Sequence, residues 1–223
     1  MRAGLCALLV GLGLGRFAYT PLLPAMVTGG WFRPSEAASL GAANLIAYLA
    51  GAAMARPLAR MAPLRGLMRG AMLVTVATFA VCASRPGLVL FGGARCVAGL
   101  TGGVIMVLGP PSLLAAVPVE RRGRAGGMMF SGVGLGIVLA SLALPALLRL
   151  GVAGAWWGLA IGGAVATAIG WRGWPPAPPP PPAGEGRPVP ALRRLILGYG
   201  VNAVALVPHM ILISDFVARR LDA

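Results

Sequence analysis

Apolar runs of about twenty residues recur along this chain, and very few charges interrupt them. Reading them with boundaries good to several residues gives seven segments, at about 3–28, 37–59, 66–84, 87–109, 124–148, 152–171 and 193–217. Each is close to the ~20 residues that a helix needs to cross the hydrocarbon of a bilayer. Only 11% of the 223 residues are charged, whereas 58% are hydrophobic. A soluble domain carries about twice that charge, and an apolar excess of this size must face lipid. Backbone amides in lipid pair within their own segment or in a closed barrel. The expected fold class is therefore all-α, a polytopic transmembrane helix bundle. The first run is not read as a signal peptide. It is too long, contains Arg16 and two prolines, and lacks a convincing small-x-small cleavage site.

The net charge of +14 comes entirely from arginine, since the chain has no lysine. With abundant Ala, Gly and Pro, this reads as a GC-rich bacterial coding bias. Basic excess can indicate nucleic-acid binding, but no aromatic-basic surface motif accompanies it, so no nucleic-acid partner is expected. The arginines instead occupy the short gaps between runs. Placing the N-terminus in the cytoplasm puts twelve there: Arg2, Arg56, Arg60, Arg65, Arg69, Arg121, Arg122, Arg124, Arg172, Arg187, Arg193 and Arg194. Five fall outside: Arg33, Arg85, Arg149, Arg219 and Arg220. The asymmetry favours N-in and an inner (plasma) membrane location. Cys6, Cys82 and Cys96 each lie inside an apolar run without C-x-x-C spacing, so neither a disulfide framework, a metal site nor a cofactor follows from them.

The stretch Gly173 to Pro190, GWPPAPPPPPAGEGRPVP, cannot form a helix interior. It divides the chain into a six-span unit (1–172), a proline-rich linker (173–192) expected in the cytoplasm, and a seventh span (193–223). A rigid spacer is the preferred reading of the linker, and a PxxP recognition segment is the alternative.

Arg16 and Arg95 fall inside spans. A charge at a helix centre costs about 2.5–3.5 kcal/mol on insertion scales, so each should face protein or a water-filled cavity. Helical spacing puts Gly13, Tyr19, Thr20 and Leu23 on the face of Arg16. That face could hold an anionic group on the guanidinium fork; a structural arginine capped by carbonyls of a neighbouring helix is the competing reading. Asn44, Tyr48, Gly41 and Gly51 form a polar stripe on the second span. It either lines a cavity or ties neighbouring helices together. In the seventh span, Pro208 would free carbonyls at membrane depth, beside Asn202 and the single histidine, His209. With an unperturbed pKa of ~6.5, a histidine suits proton handling; polar packing is the other reading. Arg95, about a third of the way into the fourth span, sits among Gly92, Gly99, Gly102 and Gly103, which permit close helix approach; a snorkelling arginine near the interface is the competing reading.

The opening run, Gly11-Leu-Gly13-Leu-Gly15-Arg16-Phe17-Ala18-Tyr19-Thr20-Pro21-Leu-Leu-Pro24, resembles the start of the YbfB/YjiJ-type branch of major facilitator superfamily (MFS) transporters. So does the seventh span, Tyr199-Gly200-Val-Asn202 through Pro208-His209-Met210. Arg95-Cys-Val-Ala-Gly99 is similar to the family pattern R-x-x-Q-G, with Ala98 in place of Gln. The segment Gly51 to Arg69, with Arg56 and Arg60, resembles the family's basic loop G-x-x-x-D-R-x-G-R-R. It carries Ala55-Arg56-Pro57 where the aspartate belongs. Gly132, Gly134, Gly136 and Pro145 loosely echo a further Gly-Pro motif.

The resemblance implies a secondary transporter, not an enzyme, working by alternating access between two six-helix halves. It implies that Arg16, Tyr19, Thr20, Asn44, Tyr48, Asn202 and His209 line a substrate cavity. It further implies proton coupling at Arg95, with His209 the second candidate from its own chemistry, and structural roles are expected for Gly13, Gly15, Pro21, Pro24, Gly99 and Pro208. The partners are then the lipid bilayer, a small-molecule substrate and a proton. On this layout the chain is expected to be a truncated form lacking about five spans; if it is complete, self-association would have to supply the second half. Two other functions are weighed. One is a non-transporting membrane assembly protein. The other is an intramembrane serine hydrolase using Ser131 and His209, but Met129 stands where a G-x-S-G nucleophile motif needs glycine.

Overall fold

Helices account for the described structure because each apolar run must satisfy its own backbone in lipid. The computed structural model describes residues 1–175 together with Leu197, Gly198 and Val201. Residues Met1–Pro179 form one compact unit and Pro180–Ala223 a second; the three described residues of the second are helical. The proline-rich linker beyond Pro175, and the seventh span with Asn202, Pro208 and His209, lie outside the described residues.

Six helical spans are long and apolar enough to cross a membrane: Arg2–Thr28, Pro34–Met61, Leu64–Ala83, Leu88–Leu114, Val119–Leu148 and Gly151–Gly170. The first is built from α1 (Arg2–Leu8), a π-helical stretch (Leu9–Phe17) and α2 (Tyr19–Thr28). The second to fourth spans are α3 (Pro34–Met61), α4 (Leu64–Ala83) and α5 (Leu88–Leu114). A 3₁₀ turn (Val119–Arg121) leads into α6 (Arg122–Leu148), and α7 (Gly151–Gly170) completes the set. The basic segment read as a loop from Gly51 to Arg69 is mostly helical. α3 runs on through Arg56, Pro57 and Arg60, and only Ala62 and Pro63 separate it from α4. Helix α5 likewise carries Pro110 and Pro111 inside its last turns, beyond the expected end at 109.

The first span is the hub. It packs on α5, α6 and α7, and every residue from Ala3 to Gly15 except Leu5 is buried. Nine consecutive π-helical residues are unusual, because π turns occur mostly as single bulges. Pro21 gives a local cause. It has no N–H to return to the Phe17 carbonyl, and its ring crowds that carbonyl, so the helix resets at Ala18 before α2 begins. Gly11, Gly13 and Gly15 lie within the wide turn.

Two interfaces bring backbones into direct contact. Between the first span and α6, a Cβ added at Gly13 would lie 2.8 Å from the Gly136 Cα, and one at Gly132 would strike the Leu5 carbonyl. Between α3 and α5, a Cβ at Gly99 would strike the Asn44 carbonyl, one at Gly103 the Tyr48 carbonyl, and one at Gly51 the Leu100 carbonyl. Lipid tails give no hydrophobic drive for helix association, so dispersion across such close approaches is what holds the bundle. Gly123, Gly127 and Gly134, by contrast, face open space.

Arginines close both ends of the bundle. At one end Arg69 donates from Nε to the Trp171 carbonyl at 2.8 Å and stacks 4.7 Å above the Trp171 ring. Arg65 Nε donates to the Trp174 carbonyl at 3.1 Å. Cations just past the C-terminal end of α7 complement its dipole. At the other end Arg85 lies 5.5 Å over Trp31 and reaches the Gly30 carbonyl at 3.3 Å.

Gly99→Val should cost at least the ~1–3 kcal/mol of an overpacked core, whereas Gly134→Val should stay within about 0.5 kcal/mol of wild type. Unfolding of the purified protein in graded denaturing detergent checks both. Equal losses at the two positions would show that the α3–α5 approach does not limit stability.

Candidate functional site

Two arginines enter the bundle, and they sit in opposite environments. Arg95 lies seven residues into α5 and is 1% exposed. Its guanidinium carbon is 4.6 Å from the Tyr19 ring centre and 5.8 Å from that of Trp156. Trp156 in turn meets Phe91 edge-on at 5.6 Å and Phe79 at 6.2 Å, so rings from α4 and α5 back the α7 ring that faces the cation. The Nε and Nη1 of Arg95 have no hydrogen-bond partner among the described residues, and neither does the Trp156 indole nitrogen. Desolvated cation–π contacts are worth about 2 kcal/mol or more each. Two such contacts are comparable to the ~2.5–3.5 kcal/mol insertion cost of a buried charge.

Tyr19 and Asn44 belong to this inner cluster. The Tyr19 hydroxyl donates to the Ala37 carbonyl at 2.7 Å, tying α2 to α3. Asn44 is buried and donates from Nδ2 to the Arg95 carbonyl at 2.7 Å, so it ties α3 to α5. That is the helix-tying alternative among the two readings of its sequence, and the Asn44 side chain is turned away from open space.

Arg16 lies near the middle of the 27-residue first span and is half-buried. Its guanidinium carbon is 5.5 Å from the ring of Phe17 and 5.5 Å from that of Tyr48. Tyr48 is itself midway along the 28-residue α3, so the pair meets at mid-depth. Thr20, one turn beyond Arg16, is also half-buried. The shared face expected for Arg16, Gly13, Tyr19, Thr20 and Leu23 is therefore divided. Gly13 is spent on α6 and Tyr19 turns under Arg95, while Arg16 gains Tyr48. The physical reason is the π stretch and the reset at Ala18, which break the regular phase that the 3.6-residue rule assumes.

The described carboxylates are Glu36 and Glu120, both within the first residues of a span. Glu36 accepts from the Arg33 amide at 2.8 Å. Neither Arg16 nor Arg95 has a carboxylate beside it among the described residues. Arg56 and Arg60 are exposed on the last turns of α3, Pro21 and Pro24 are exposed on α2, and Gly15 packs toward Thr75. The Ser131 hydroxyl donates to the Met128 carbonyl of its own helix at 2.8 Å, which leaves it no base from the described residues.

Composition alone could not have flagged two contributors. Trp156 reads as one more apolar residue of α7, yet it forms half of the Arg95 cage. Arg65 and Arg69 read as positive-inside charge, yet they bind the Trp174 and Trp171 carbonyls just beyond α7.

Tyr19→Phe should lose only the hydroxyl bond, about 0.6 kcal/mol by the average for hydrogen bonds between membrane helices. Tyr19→Leu should lose the ring as well, a total nearer 2–3 kcal/mol. Detergent-unfolding curves of the two variants distinguish the contributions, and identical curves would remove the ring from the account of Arg95.

A family model described as "Uncharacterised MFS-type transporter YbfB" matches residues 8–223. Comparison with curated proteins gives no match.

Proposed function

Since the chain belongs to the YbfB-type family of MFS transporters, a family of membrane transporters and not of enzymes, we propose that its cargo is a small anionic molecule that meets Arg16. The observation that carries this reading is a mid-depth guanidinium, half-exposed, braced by the rings of Phe17 and Tyr48, with no carboxylate beside it among the described residues. A cation held at membrane depth without a counter-ion from those residues favours a ligand that supplies one. Arginine offers a planar fork matched to a carboxylate or phosphate. Thr20 adds a hydroxyl on the same side.

The mechanism proposed is alternating access around this mid-depth position. Arg95, Tyr19 and Asn44 act behind Arg16 as a packed support. Proton coupling is assigned to Arg95 on the family resemblance and to His209 on the chemistry of an imidazole. Asn202 and His209 are proposed as cavity residues from the sequence alone. The orientation proposed is N-terminus inside, in the inner membrane, from the arginine asymmetry.

Binding is testable without knowing the cargo. Ligand binding raises apparent stability by RT ln(1 + [L]/Kd). A panel of mono-, di- and tricarboxylates and phosphate esters should include compounds that raise the melting temperature of the purified protein. The matching amides and alcohols should not, and Arg16→Ala should remove the response while leaving insertion and expression intact. A cationic or neutral stabiliser acting equally on wild type and Arg16→Ala would refute the reading.

Topology has its own check. In a Cys96→Ser background, a cysteine placed at Gly184 should react with an impermeant maleimide only in inside-out vesicles. Reaction in intact cells would reverse the orientation.

A further inference from the structure

Helices α6 and α7 meet at one end of the bundle and separate toward the other. At the closed end a Cβ added at Gly158 would lie 2.5 Å from Leu147 Cδ1, beside the short connection between the helices. Toward the other end each helix turns to the first span instead. Gly132 of α6 abuts the Leu5 carbonyl, and Gly170 of α7 approaches Cys6 and Ala3. The result is a wedge-shaped groove of about 540 Å³, floored by Leu5, Cys6 and Leu9. A volume in this range is typical of ligand sites. Its walls are aliphatic, including Leu139 and Ile169, which are 45% and 61% exposed. One polar side chain lines it, Arg2, at the open end.

That open end is also where other arginines gather. Gly173 packs on Ala3, which puts Arg172 one residue from the neighbour of Arg2. Arg121 and Arg124 line a small depression with Met1 at the start of α6. All four arginines are exposed. From Gly158 to Ile169 the groove follows eleven residues of α7, about 16 Å at 1.5 Å per residue. That is roughly half the ~30 Å hydrocarbon thickness, the depth of one leaflet.

We propose that this groove is a binding site for an anionic phospholipid, with one acyl chain between α6 and α7 and its phosphodiester at Arg2. The aliphatic walls fit the chain, the one-leaflet depth fits its length, and the arginine-lined mouth fits a negatively charged headgroup. Surface arginines attract anionic lipid with about 1 kcal/mol each, a preference of roughly fivefold per residue. The site stands on membrane insertion alone and is independent of the cargo assigned to Arg16.

Gly162 supplies the test. It lines the groove, and a Cβ added there meets nothing within 4 Å, so Gly162→Leu should fill the groove without disturbing helix packing. The purified full chain is titrated with phosphatidylglycerol or phosphatidylcholine of identical acyl chains, and bound lipid is counted by native mass spectrometry. Wild type should retain one phosphatidylglycerol, favoured at least fivefold over phosphatidylcholine. Gly162→Leu should lose that lipid. Ala143→Phe, a second filling substitution at another lining residue, should do the same. Arg2→Gln should still take up lipid but lose about fivefold of the preference. Retention unchanged in both filled variants, or equal retention of the two lipids by wild type, would overturn the proposal.

Discussion

Contact between backbones, made where glycine removes every intervening side chain, is the constraint on which the rest of this bundle depends. In water a helix is held to its neighbours by excluding solvent from apolar faces. In lipid that drive is absent between helices, and proximity has to come from shape. Gly51, Gly99 and Gly103 bring α3 and α5 together until side chains no longer fit between them, and Gly13, Gly132 and Gly136 do the same for the first span and α6. The polar contacts follow from that closeness. Asn44 has a short side chain, and it reaches the Arg95 carbonyl because the α3 and α5 backbones already touch.

The two intramembrane arginines show how one residue type is given different work by its surroundings. Arg95 has aromatic faces close to it and is almost fully enclosed, so its charge is held by rings and its own carbonyl is used by Asn44. Arg16 also has two rings, each at 5.5 Å, but remains half open. An enclosed charge with fixed neighbours supports a scaffold. A half-open charge with no carboxylate beside it among the described residues is the one proposed to meet a ligand. The insertion cost of a charge is similar for both; what differs is where the compensating contact comes from.

Much of this was readable from residue order. The apolar runs located the six described spans to within several residues, and the arginine gaps marked their ends. Arg16 and Arg95 stood out because charge is rare at such positions. The partition of neighbours between them was not readable. It depends on a π-helical stretch of nine residues, and no period fitted to a regular helix shows where the phase is lost. Pro21 was visible as a helix disturbance, but its effect falls upstream, at the Phe17 carbonyl and Ala18. The ends of α3 and α5 were underestimated for a related reason. Pro57, Pro110 and Pro111 look like stops, yet in lipid an interrupted helix still satisfies more backbone than a loop would.

Tyr19 joins these points into one argument about movement. Its hydroxyl fixes α2 to the start of α3, and its ring covers Arg95 of α5. It follows directly on the reset at Ala18, two residues after the end of the wide turn is approached at Arg16–Phe17. Arg16 thus sits on the π-helical side of the reset, and Tyr19 on the α-helical side that is anchored to two neighbouring spans. A wide turn has poorer hydrogen-bond geometry to lose than a regular one, and π segments are frequent at functional sites. The guanidinium proposed to meet cargo is therefore carried by the least regular part of the hub, while the residue next to it is tied to the most closely packed part. A ligand that pulled on Arg16 would be resisted at Tyr19, and the strain would fall on the two residues between them, Phe17 and Ala18.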